Sequence, residues 1–163
     1  MSGFTHFDGE GNAVMVDVGS KDVTQRCAVA EGAIRVSAEV LRAIQQGDNA
    51  KGDVLGVARI AGIMAVKNTS SLIPLCHPLL IHRASVDFSL SEDEPAVKAV
   101  CCVAISGKTG VEMEALTGVS VALLTIYDMC KAIDRRMTID AIRLVEKSGG
   151  ASGHFLADAQ EKE

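Results

Sequence analysis

Residues 84–105 read ASVDFSLSEDEPAVKAVCCVAI. Ala84, Val86, Phe88 and Leu90 alternate with Ser85, Asp87 and Ser89, the period of two expected of a strand with one face against a core. The acidic run ending at Pro95 supplies a turn, and a more uniformly apolar strand returns from Ala96. The pair is a β-hairpin. Directly after it, SGKTG leads into a long helix whose start carries a capping-box pattern, Thr109 with Glu112. Leu116, Val119, Leu123, Cys130 and Ile133 give that helix an apolar stripe.

Downstream, TIDAIRLVEK reads as a final strand, and residues from about 148 to 163 form a Gly-rich, then charged, tail expected to be mobile without ligand. Upstream, Thr24 to Val36 is a strand in which Cys27, Val29 and Glu31 alternate with Arg26, Ala28 and Ala30. Ser37 is placed to cap a short helix that stops at Gly47, and Asp53 to cap a second one that ends before Pro74. In the second helix Val54, Val57, Ala61 and Met64 recur at helical spacing, and Gly56 and Gly62 permit close packing of another segment. Residues 1 to about 21 read as an extended arm with one short strand in AVMVDV. The order β-α-α-β-β-α-β is the ferredoxin-like split βαβ pattern with one extra helix: an α+β fold, an antiparallel sheet with helices on one face.

The chain has 163 residues, the size of one domain. Hydrophobic residues make up 48% of it but aromatics only 3%, so a platform for stacking nucleic-acid bases is not expected. A net charge of −5 argues against general affinity for polyanions, and any anion must meet a local basic cluster. No apolar run long enough to span a membrane is expected anywhere in the chain, and the polar start shows no signal-peptide pattern, which points to a soluble, cytoplasmic protein. Five cysteines without a CxxC fit neither a disulfide framework nor a zinc ribbon.

Several short motifs bear on chemistry. SGKTG is not a phosphate-binding P-loop, because Cys102 stands where the first glycine would be; it is a generic helix N-terminus beside Lys108, which reads first as a solvated lysine. LIPLCHP holds Cys76 and His77 between prolines in a loop lacking the companion ligands of a metal site; His77 either meets a ligand or is satisfied beside a turn. Glu112 and Glu114, two apart near a helix start, suit either the helix dipole or paired N–H donors on a heterocycle. Asp128 and Lys131 are i, i+3 neighbours in nearly all-apolar surroundings, so a partly desolvated pair suited to acid–base work is expected. Lys67 at a helix end is explained by the dipole, whereas Lys51 and Lys147 beside glycine, with Arg26, suit a phosphate. Glu114 and Asp128 lie fourteen positions apart, about 21 Å along one helix, so one small substrate reaches both only if two copies share a site.

The stretches KGDVLGVARIAGIMAVK, LIPLCHPL, GKTGVEMEALTGVSVALLTIYDMCKAID and LVEKSGG, with THFDGEGNAVMVDV before them, resemble the molybdenum cofactor biosynthesis protein C family, the cyclic pyranopterin monophosphate synthases. The resemblance runs from about Thr5 to Gly153. It implies a ferredoxin-like subunit, a hexamer built as a trimer of dimers with interface sites, and no cofactor or metal. The implied reaction converts 3′,8-cyclo-7,8-dihydroguanosine 5′-triphosphate to cyclic pyranopterin monophosphate and pyrophosphate. By position it implies Asp128, Lys131 and Lys51 as catalytic residues, and Leu75, Cys76, His77, Glu112, Met113 and Glu114 as substrate-binding. Arg26, Lys67 and Lys147 are the candidates for the triphosphate. Ala151 departs from the family's usual lysine, removing an expected phosphate contact. The competing reading is a non-catalytic oligomeric module that binds a nucleotide or pterin.

Overall fold

The computed structural model describes residues 6–47, 52–151 and 153–157. In chain order the elements are β1 (Thr24–Arg35), α1 (Ala38–Gln46), α2 (Val54–Lys67), α3 (Thr69–Leu72), β2 (Arg83–Ser91), β3 (Ala96–Gly107), α4 (Glu112–Cys130), β4 (Thr138–Ser148) and β5 (Phe155–Leu156). The strands form one sheet in the order β2-β3-β1-β4-β5, every neighbouring pair antiparallel. This is the expected α+β architecture, with the ferredoxin-like order in its first four strands.

The hairpin forms in the register that its alternation demands: Ser91 faces Ala96 at the turn, and Val86 faces Cys101. Val86, with Ala28, Ala30 and Ile34 of β1 and Val97, Ala99, Cys101 and Val103 of β3, builds the inner face. Against it lies α4, packed on β1, β3 and β4, while α2 packs on α4 and β2. Aromatics are scarce, so the largest fully buried side chains are aliphatic: Ile34, Ile105, Leu123 and Ile126, each worth ~1.5–3 kcal/mol when removed from water. By length and composition α4 would cross a membrane, a run the sequence reading did not expect; it is instead the core helix, with more than half of its apolar window buried.

The caps of α1 and α2 form as read: Ser37 Oγ accepts from Val40 N, and Asp53 Oδ1 from Gly56 N. Gly47 ends α1 in a left-handed conformation, φ 69°. The buried stripe of α2 differs from expectation. Val54, Ala58, Gly62, Ala65 and Val66 face inward, while Val57, Ile60 and Met64 are exposed. The helix is apolar all round, so close approach chooses the face. A Cβ on Gly62 would come 2.9 Å from the Gly118 carbonyl oxygen, and one on Gly118 would come 2.7 Å from Cys101 Sγ. Gly56, also expected to admit another segment, meets only the Asp53 carboxylate of its own cap.

Three further expectations change. The arm run AVMVDV is not a strand; only an isolated Phe7–Ala13 bridge forms, closed around Asp8, whose Oδ1 accepts from Glu10 and Asn12 N. The residue before α4 is Val111 and no side chain caps that helix, so the Thr109 capping box does not form. The tail, finally, contributes β5, which pairs Phe155 with Lys147 and Leu156 with Glu146.

Candidate active site

The site is built around the first turn of α4. The sheet delivers the chain through Gly107 to a four-residue loop, and α4 begins at Glu112 with two carboxylates near its positive end. Pro74 and Pro78 keep the segment after α3 out of a helix, and that segment lies beside the turn. Together they enclose a cavity of about 300 Å³, lined by Leu75, Cys76, His77, Glu112, Met113 and Glu114. Val16 and Val18 of the arm complete its wall. Glu114 is only 4% exposed; burial pushes its carboxyl above the usual range, and the Glu112 charge adds to that push. Burial, with Glu114 nearby, raises the Cys76 thiol too.

A second cavity of about 260 Å³ adjoins the first and shares Lys21, Thr109, Gly110 and Glu112 with it. The two are the ends of one groove. Arg26, Lys108 and Lys147 join Lys21 here, so four cations face one short stretch of surface in a chain of net charge −5. Glu112 sits at the junction, its Oε1 3.5 Å from Lys147 Nζ. The Arg26 guanidinium is oriented by donating from Nε to the Gly107 carbonyl at 2.9 Å and from Nη2 to the Lys108 carbonyl at 3.2 Å. Gly149 and Gly150 follow β4 with φ of 92° and 79°, and a Cβ on either would collide with the backbone at Gln25 or the Arg26 guanidinium. Only glycine lets the chain lie this close to the arginine. Ala151 lines the cationic end but brings no charge to it.

Most of the predicted binding residues therefore meet: Leu75, Cys76, His77, Glu112, Met113 and Glu114 at one end, Arg26 and Lys147 at the other. Asp128 and Lys131 do not. They pair at 2.6 Å at the far end of α4, with side chains 61% and 51% exposed, so the partly desolvated setting expected for them is absent within one chain. Lys67, exposed at the end of α2, lines neither cavity, and Lys51 lies outside the described residues. The sequence reading missed Lys21 and took Lys108 first as a solvated lysine. Both stand within two positions of a glycine, Gly19 and Gly107, the same signal that singled out Lys51 and Lys147.

Fold and cavities together define a ferredoxin-like protein with two adjoining cavities at the start of α4, carboxylates in one and cations in the other. Residues 15–150 match the MoaC family. The chain is 60% identical over 153 residues to the cyclic pyranopterin monophosphate synthase of Clostridium botulinum (strain Alaska E43 / Type E3), covering 94% of this chain and 96% of that protein. It is 60% identical over 158 residues to the synthase of the same name from Roseiflexus sp. (strain RS-1), covering 97% of this chain and 100% of that one. Against the Brucella ovis synthase it is 58% identical over 156 residues, 95% and 94% of the two chains. The chain belongs to the MoaC family, and is with it an enzyme of molybdenum cofactor biosynthesis.

Proposed function

We propose that the groove at the start of α4 is where this chain, as a cyclic pyranopterin monophosphate synthase, binds 3′,8-cyclo-7,8-dihydroguanosine 5′-triphosphate. The observation that carries the assignment is the continuity of the two cavities through Lys21 and Glu112. A guanine-derived base presents adjacent N–H donors, which Glu114 and Glu112 accept, with His77 beside them. A triphosphate reaching the other end meets Lys21, Arg26 and Lys147. Hydroxyl attack on the α-phosphorus expels pyrophosphate, and Arg26 and Lys147 neutralise the charge that develops on the leaving group. Opening the imidazole ring and closing the pyranopterin require proton transfers, which fall to Asp128, Lys131 and Lys51.

Asp128 lies about 21 Å along α4 from Glu114, so a second copy brings the acid–base residues to the groove. The exposed apolar row Val57, Ile60 and Met64 on α2 supports association of copies, as a hexamer arranged as a trimer of dimers. Each subunit is one domain of a cytoplasmic protein that needs no cofactor. Incubation with the cyclo-dihydro-GTP substrate tests the reading: pyrophosphate release and a fluorescent pterin after oxidation are expected. Saturable binding without either product would leave a sensor in place of an enzyme.

A further inference from the structure

The N-terminal arm forms part of the groove, yet no strand ties it to the sheet. What places it is a tight turn at residues 17–21. Asp17 Oδ1 accepts from Gly19 N at 2.8 Å, and the Val18 carbonyl accepts from Lys21 N at 3.2 Å. This turn aims two groups: Lys21 toward the junction of the two cavities, and the Gly19 carbonyl toward the β3–α4 loop. There Lys108 Nζ donates to the Gly19 oxygen at 2.5 Å. The Lys108 backbone is itself held, because its carbonyl and that of Gly107 accept from Arg26. An unbroken run of hydrogen bonds thus joins β1, the β3–α4 loop and the arm turn that carries Lys21.

We propose that Lys108 is a positioning residue, a strut that holds the arm turn against the β3–α4 loop and thereby sets Lys21 between the two ends of the substrate groove. The inference rests on the groove being the substrate site. Other groups stabilise the turn internally, and among the hydrogen bonds of the described residues it is this one that ties the turn to the β3–α4 loop. A hydrogen bond from a charged donor is stronger than a neutral one, and its loss leaves the turn intact but loosely placed. Substrate then meets Lys21 only in a fraction of arm positions, which weakens binding without altering the reacting groups.

Hydrogen exchange of the arm amides, read by mass spectrometry on the substrate-free full chain, tests the strut directly. Lys108→Met keeps the apolar stem and removes the donor, so exchange across residues 14–21 should speed up while the rest of the subunit stays protected. Its KM for the cyclo-dihydro-GTP substrate should rise about tenfold with kcat within about twofold, the split expected when binding but not chemistry is lost. Lys108→Arg, which can still donate to Gly19, should restore both arm protection and KM. Unchanged arm exchange in Lys108→Met overturns the strut, whatever happens to KM, because a rise in KM alone would mean that Lys108 touches substrate itself. Faster arm exchange with an unchanged KM overturns the link to Lys21. A wild-type chain without turnover overturns the functional reading instead, and exchange in the free protein separates that failure from the other two.

Discussion

The two ends of α4 carry the same kinds of group in opposite circumstances. At its start, Glu114 is buried in a cavity closed on three sides by the 75–79 segment, the arm and the β3–α4 loop. At its end, Asp128 and Lys131 pair on a surface that leaves more than half of each side chain exposed. An exposed i, i+3 pair is worth only a few tenths of a kcal/mol to the fold, about 0.3–0.5. A buried carboxylate costs stability until something accepts its charge. One end of the helix is therefore an enclosed carboxylate, and the other an exposed ion pair. The contrast is what the proposed sharing of sites between copies requires.

The sharpest way to break that contrast is mixing. Glu114→Ala and Asp128→Asn should each reduce turnover more than about a hundredfold. Co-assembled from equal amounts of the two chains, they should recover about a quarter of wild-type activity, because sites drawing the two ends from different copies include some with both intact. No recovery in a co-assembled sample would place both groups in one chain's site.

Glu114→Gln examines the buried end alone. Burial raises this carboxyl above its ordinary value, so the folded chain binds that proton more tightly than the unfolded one. Stability is then greatest with the group protonated and falls as pH rises from the ordinary carboxylate range through the raised value. The amide removes that loss: thermal melts should match wild type at about pH 4 and lie above it at about pH 8, while KM rises about tenfold or more. A variant melting below wild type at the higher pH would show that the carboxylate is satisfied without ligand. The mildest change is Ala151→Lys, which adds a cation at the opposite end of the groove. It should lower KM about threefold at low salt and less at high salt, as titration against ionic strength would show.

Local chemistry was legible wherever short-range geometry settles the outcome. The hairpin follows from strict alternation around Val86 and Phe88, and the caps at Ser37 and Asp53 need only a side chain and an amide three residues away. Long-range competition hid the rest. Val16 and Val18 alternate like a strand, but their period serves a cavity wall instead of a sheet. On α2, apolar residues occur on every side, and only the approach of Gly118 to Gly62 selects the buried face. Thr109 loses its cap because α4 starts at Glu112, which puts Val111 in the cap position and turns Glu112 toward Lys147. In the site, the carboxylate end was readable from LIPLCHP and VEMEAL, whereas Lys21 enters through the arm, whose path no local pattern specifies.

Because α4 joins Glu114 to Asp128 without a break, it works as a gauge as well as a wall. Each residue of a helix advances about 1.5 Å and turns about 100°. Lengthening α4 by one residue would barely change the span, yet it would swing Asp128 and Lys131 onto a different side of the subunit relative to Glu114. An insertion thus changes phase far more than distance, and in the proposed shared site the nineteen-residue length of α4 sets which side of the subunit the acid–base pair presents to a second copy.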